Sequence, residues 1–293
     1  MKRNLAIAML CLLASFAAQA QELLVGSYNI RYQNAGDNAT PNAWAKRVGV
    51  LCDLVKTRRP DIFGTQEVLY QQMLDLRERL PRYACIGVGR DDGKREGEHE
   101  CIFYDKEKIE LLDSGHFWLS PTPDVPSVGW DAVLNRMCTW GKFRTRTGKR
   151  TVFFFFNLHM DHVGVEARRE SATLVVDKIR QLAGDKPVVL TGDFNSDQRS
   201  GAYLTFERSG ALADSYGLAE NKFAPNGTWN DFKIGRKTDD RIDHVFVSPG
   251  ISVSSFNVDT SFYWGKDADG AYVPLIPSDH YPLWVRLSLK GGK

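Results

Sequence analysis

Six apolar runs in this chain of 293 residues stop abruptly at an acid, an amide or an imidazole: Tyr28-Asn29, Gln66-Glu67, Leu158-His159, Asp193-Phe194-Asn195, Ile242-Asp243 and Ser278-Asp279-His280. Taken singly, an Asp or Asn after a strand reads as an ordinary turn residue. Six such ends along one chain are harder to dismiss, because strands of an α/β sheet bring their ends together and ligands bind there. The pattern predicts side chains distant in sequence converging at one edge of a sheet.

The surrounding sequence supplies that sheet. Residues 23–30 read as a buried strand, and Trp44, Val48, Leu51, Leu54 and Val55 recur at helical spacing until Arg59-Pro60 stops the helix. A second strand over 61–66 delivers Glu67, and a second helix over 69–80 is closed by Pro81. This strand–helix–strand–helix opening says α/β. Between 83 and 156 the pattern changes to strands at 83–87, 101–104, 116–119, 137–143 and 152–159, with turn signals between them, and predicts an antiparallel meander. Phe153, Phe154, Phe155 and Phe156 are apolar on both faces, as in a central strand between two layers. The clearest helix, 166–182, leads into a strand at 188–191, and further strands are read at 242–248, 251–259 and 283–289. The two halves share a loose strand and helix rhythm, a weak sign of internal duplication.

Residues 1–20 have the form of a cleavable signal peptide: a basic Met1-Lys2-Arg3-Asn4, an apolar core at 5–16, and a small-residue end at Ala18-Gln19-Ala20. The expectation is an exported chain starting near Gln21, periplasmic or secreted, with a retained N-terminal anchor as the alternative. No Ser/Gly/Pro linker divides residues 21–293, so they are read as one domain. No apolar stretch is long enough for a comfortable membrane span, and no membrane insertion is expected. Removing Lys2 and Arg3 from 38 basic residues leaves 36 against 36 acidic ones, a neutral balance that weakens tight nonspecific nucleic-acid binding. Cys52, Cys85, Cys101 and Cys138 include no C-x-x-C pair, which argues against structural zinc. Cys85 and Cys101 flank a polar loop, leaving open a disulfide or two small buried side chains.

The strand-end residues suit one chemistry. Hard oxygen ligands such as Glu67 and Asp279, aided by the amide of Asn29, favour Mg²⁺ or Mn²⁺. Such a cation neutralises a phosphate and its departing oxygen. Two histidines would donate to the nonbridging oxygens as phosphorus becomes five-coordinate, with Asp243 fixing the tautomer of His280.

Gln66-Glu67, Gly192-Asp193-Phe194-Asn195 and Ser278-Asp279-His280-Tyr281-Pro282 resemble, in order, motifs of the endonuclease/exonuclease/phosphatase superfamily. The resemblance spans about residues 23–289 and specifies superfamily rather than substrate. It implies a deoxyribonuclease I-like α/β fold, a four-layer sandwich of two mixed or antiparallel sheets packed face to face with helices outside. Residues 21–293 would form a single catalytic domain. It further implies that Glu67 binds metal with help from Asn29, and that Asp193 orients or deprotonates the attacking water. Asn195 would steady phosphate and nucleophile, His159 and His280 would contact phosphate, Asp243 would pair with His280, and Asp279 would lie near the metal. Glu98 and Arg136 resemble features of a bacterial subgroup related to the deadenylase and nocturnin branch. There Arg136 would face the phosphate and Glu98 line the pocket; an ordinary ion pair and a solvated loop are their alternatives.

The sequence therefore points to an extracytoplasmic, metal-dependent phosphoesterase for a phosphorylated small molecule or glycan, with no protein partner. A secreted nuclease is the alternative if the basic stretch Lys142, Arg144, Arg146, Lys149 and Arg150 borders the cleft. A noncatalytic glycan-binding module is a third reading. The aromatic segment 262–274 is read as a lid, a sugar-stacking wall or a packed loop.

Overall fold

Trp44, Val48, Leu51, Cys52 and Val55 share the buried face of one helix, and the chain leaves that helix through Arg59, whose left-handed φ of 53° precedes Pro60. Similar local rules generate the rest of the computed structural model, which describes residues 21–267 and 269–289. The signal-peptide reading of residues 1–20 lies outside the described residues.

In chain order the elements are β1 (Gln21–Asn29), α1 (Ala35–Asn38), α2 (Trp44–Arg58), β2 (Ile62–Val68), α3 (Tyr70–Arg79), β3 (Tyr83–Ile86) and β4 (His99–Asp105). Then come β5 (Ile109–Trp118), β6 (Met137–Thr145), β7 (Val152–His159), α4 (Val165–Ala183), β8 (Val188–Asp193), α5 (Gly201–Arg208), β9 (Ala213–Asp214) and α6 (Ser215–Leu218). The last are β10 (Asn221–Phe223), β11 (Asp243–Val247), β12 (Ser252–Val258), β13 (Tyr263–Lys266), β14 (Tyr272–Leu275) and β15 (Leu283–Leu289).

One seven-stranded sheet runs β10-β12-β15-β1-β2-β4-β3 and one six-stranded sheet runs β5-β6-β7-β8-β11-β9. Each has a parallel pair at its heart, β1 with β2 and β7 with β8, flanked by antiparallel neighbours. The sheets pack face to face, β1 against β8 and β2 against β7. Val25, Ile62, Phe153, Phe155, Val189, Val245 and Val285 fill the space between them. Phe154 and Phe156 face the other way, towards α4 and α5, while Trp44, Leu51, Phe63 and Phe103 close the gap between the first sheet and α2 and α3. The order helix, sheet, sheet, helix is the expected four-layer sandwich, and each buried Phe ring contributes about 2–3 kcal/mol by leaving water.

The expected meander is divided. β3 and β4 belong to the first sheet and β5, β6 and β7 to the second. Asp105 accepts from the backbone of Glu107, and Lys108 Nζ pairs with Asp61, so this short turn carries the chain from one layer to the other. Cys85 and Cys101 are free thiols on neighbouring strands. Among the described residues, no helix is long and apolar enough to cross a membrane.

The sheets are also joined by a polar bolt. Asn157 on β7 donates to the carbonyls of Thr65 (2.9 Å) and Cys101 (3.0 Å) in the opposite sheet, and its Oδ1 accepts from Gln66 (2.6 Å) and Thr191 (3.1 Å). Gly64 leaves the room, since a Cβ there would overlap the Asn157 amide. Buried polar groups left without partners cost about 1–3 kcal/mol each. Asn157→Ala should therefore lower Tm by about 10 °C, more than a surface Asn→Ala control, as read by differential scanning calorimetry.

Candidate active site

The two parallel pairs end on the same edge of the sandwich. Asn29 stands opposite Gln66, the neighbour of Glu67, and His159 stands opposite Asp193, which also faces Asp243 across the antiparallel β8–β11 pair. Gln66 turns inward to Asn157, so its neighbour Glu67 turns outward into the cleft. The loop before β15 adds Asp279 and His280. The resulting cleft is about 430 Å³, within the range of small-molecule sites. Three residues around it, Arg31, Glu67 and Asn195, hold positive φ values of 59°, 62° and 45°. Each costs about 1 kcal/mol in a residue with a Cβ, strain that the surrounding hydrogen bonds sustain.

Asn29 is fully buried. Its Nδ2 donates to Glu67 Oε1 (2.9 Å) and Asp193 Oδ2 (3.0 Å), while its Oδ1 accepts from the Arg31 backbone (3.0 Å). It thus holds both carboxylates in place, beyond any oxygen it lends a cation. Glu67 Oε2 is fixed by the Tyr32 backbone at 3.1 Å. Glu67, His159 and Asp193 each present a donor atom within 4.8 Å of the others, and Asp193, Asp243 and His280 do the same. This oxygen-rich set fits a hard divalent cation. Asp279 belongs to neither group; it lies beside the charged His280 and 3.5 Å from Arg31, and it faces Glu67 electrostatically across the cleft.

The two histidines differ sharply. Burial, reinforced by Arg136 and Arg90, pushes His159 well below its ordinary pKa and keeps it neutral. Asn195 Nδ2 donates to its Nε2 at 3.1 Å, which assigns the proton to Nδ1, 3.7 Å from Glu98. Burial also opposes charge on His280, but Asp243 and Asp193 overcome it and hold His280 well above the usual range, with Nδ1 2.8 Å from Asp243 Oδ2. Of the two histidines read from the sequence as phosphate donors, His280 is thus held charged, while His159 Nε2 accepts in this arrangement. Environments that push two titratable groups apart separate donor from acceptor.

Asp193 lies 3.6 Å from His159 and 3.7 Å from His280. Burial and the facing Asp243 push its pKa up to about 7, and burial lifts Asp279 to about 6. Asn195 donates its backbone N–H to Asp193 Oδ1 at 2.9 Å, and its side chain also reaches the Met160 carbonyl.

Glu98 and Arg136 both line the cleft, and both make ion pairs as well. Glu98 takes a two-pronged bond from Arg90 at 2.7 and 2.9 Å. Arg136 pairs with Asp161 at 3.3 Å and donates to His162 at 2.9 Å, leaving Nη1 without a protein partner. Behind them, burial raises the Glu100 carboxyl to about 8. His244 turns away from the cleft, bonding Ser196 O at 2.9 Å, and Trp118 is core, its indole donating to Arg90 O at 2.7 Å.

Arg31, Tyr32, Leu134 and Trp229 also line the cleft and carried no sequence signal except that Arg31 and Tyr32 follow a strand end. The segment 262–274 contains the β13–β14 hairpin, with Phe262, Trp264 and Tyr272 exposed and none of its described residues lining the cleft. The aromatic side chains that line the cleft are Tyr32 and Trp229 instead.

Comparison with known proteins bears on the whole arrangement. The model of the endonuclease/exonuclease/phosphatase family matches residues 26–280. A crystal structure of a family protein from Bacteroides thetaiotaomicron is 47% identical, covers 93% of this chain and 99% of its own, and superposes with a TM-score of 0.91. A mannosyl-6-phosphatase from the same organism is also 47% identical, over 91% of this chain and 100% of its own, with a TM-score of 0.89. Nocturnin from Drosophila melanogaster is 23% identical over 88% of this chain, which spans 44% of that protein.

The sign of the Asp193 shift sets a stability test in chelator. The folded protein keeps a proton that the unfolded chain releases near pH 4, so stability falls as pH rises from about 4 to 7. Asp193→Asn removes that loss and should raise Tm by about 5 °C at pH 8, the gap closing towards pH 4.5. A gap independent of pH would contradict the shift.

Proposed function

Because the chain belongs to the endonuclease/exonuclease/phosphatase family, we propose that it is an extracytoplasmic phosphatase that needs Mg²⁺ or Mn²⁺ and hydrolyses a phosphate monoester on a sugar or glycan. The family acts on phosphoester bonds. The observation that carries the reading is the convergence of Glu67, Asp193, His159 and His280 in one cleft, with Asp243 buried behind His280, as two overlapping donor groups that share Asp193. The sugar class is supported by the 47% identical mannosyl-6-phosphatase, matched over its full length. The export step rests on the sequence of residues 1–20.

Glu67, held by Asn29 and the Tyr32 backbone, would bind the cation, with Asp279 alongside. When bound, the cation supplies charge neutralisation at the phosphate and the departing oxygen. Asp193, poised near neutrality, takes the proton of the attacking water as a general base. Asn195 orients that carboxylate through its backbone. His280, charged by Asp243, donates to a nonbridging oxygen as negative charge builds up there. The unpaired Nη1 of Arg136 offers a further donor.

The position of the basic stretch argues against a nuclease. Arg150 lies before the start of β7, and His159 lies at its end, so the two are about 25 Å apart along the strand. Glu110 partly balances Arg144 and Arg150, at 3.8 and 3.6 Å.

Purified protein should release inorganic phosphate from a hexose 6-phosphate in Mg²⁺ or Mn²⁺ and stop in EDTA. Asp193→Ala should lower kcat about a thousandfold. Glu67→Gln should raise the cation concentration needed for half activity. Full activity in EDTA ends the metal-dependent reading, and plasmid nicking without sugar-phosphate turnover favours the nuclease.

A further inference from the structure

The wall of the cleft formed by the 225–242 loop carries an aromatic ring that phosphate chemistry does not use. Thr228 and Asn230 are fully buried and fasten this loop. Thr228 Oγ1 accepts from the backbones of Ile242 and Asp243 at 3.0 Å each, and Asn230 donates to the carbonyls of Ser278 (3.1 Å) and Asp279 (2.7 Å). Trp229, between them, is only part-buried; it lines the cleft and its backbone bridges that of His280. The Arg236 guanidinium covers the indole at 3.9 Å from the ring centroid. Arg236 is itself tethered, its carbonyl accepting from Asn226 at 2.6 Å and its guanidinium 3.8 Å from Asp231. An indole fixed by its backbone and backed by a cation is a rigid platform beside the residue that contacts phosphate.

A water, a phosphate and a departing oxygen gain nothing from such a ring. A pyranose carrying the phosphate does, because its C–H face packs on an aromatic face while its hydroxyls stay free for polar neighbours. Arg31 and His162 line the same cleft and supply hydrogen-bonding groups there. We propose that Trp229, backed by Arg236, is the platform on which the sugar ring of the leaving group stacks, and that it sets the preference for ring-borne over acyclic phosphates. This rests on the sugar-phosphatase reading and adds the residue that reads the sugar.

The test compares wild type, Trp229→Ala and Trp229→Phe on a hexose 6-phosphate, glycerol 3-phosphate and a nucleoside 5′-monophosphate. Trp229→Ala should lower the ratio of kcat/KM for hexose phosphate over glycerol phosphate about tenfold, mostly through KM, and Trp229→Phe should restore most of it. An equal loss on all three, carried by kcat, would make Trp229 a prop for the loop and overturn the platform. So would an unchanged ratio, or a selective loss confined to the nucleotide. A wild type that cleaves other esters but no hexose phosphate overturns the parent reading together with this one. A wild type active on hexose phosphate with an unchanged ratio in Trp229→Ala overturns the platform alone.

Discussion

The structure depends on one amide. Asn157 reaches from β7 to the carbonyls of Thr65 and Cys101 in the opposite sheet and takes hydrogen bonds from Gln66 and Thr191. Apolar side chains between two sheets are non-directional and tolerate sliding. A buried amide with its hydrogen bonds satisfied does not, because sliding would strand polar groups away from water. This contact therefore fixes how far β2 and β7 advance relative to one another. The advance decides whether Glu67, one residue beyond Gln66, and His159, two beyond Asn157, end at the same level.

Once those ends are level, proximity determines their charges. Asp193 and Asp243 face each other across an antiparallel pair, a placement that would repel if both were ionised with nothing between them. His280 resolves it by taking a positive charge beside both. His159, on the other side of Asp193, sits among arginines and stays neutral. One carboxylate thus has a cationic neighbour on one side and an uncharged imidazole on the other, although both neighbours are the same residue type.

Most of the fold was legible because its signals are periodic or punctuated. The helical spacing from Trp44 to Val55 and the uninterrupted Phe153 to Phe156 appear where expected, with ends displaced by a few residues. The strand ends were legible because polar residues there interrupt long apolar runs. The layer change at Lys106-Glu107-Lys108 was not, since a turn between hairpin partners and a turn between sheets use the same residues. The strand of His116 begins further back, at Ile109, than the apolar pattern shows, because Asp113-Ser114-Gly115 in its middle breaks the alternation. Trp229 escaped notice because it lies in a loop without period, where only the burial of Thr228 and Asn230 on either side reveals which way it points. The opposite protonation of the two histidines depends on neighbours supplied by other strands, and no local window contains them.

The strand order has a consequence for how the molecule comes into being. β1, the earliest strand, lies between β2 and β15, the latest. During synthesis the first sheet therefore waits with an open edge on β1 until the last described strand arrives to cover it, and such long-range closure is slow. Asp279 and His280 immediately precede that strand, so the site acquires its charged imidazole in the same late event that seals the sheet. Turnover is thus a report on completed assembly: a chain still emerging, or one stalled before β15 docks, has its first carboxylate in place and no chemistry.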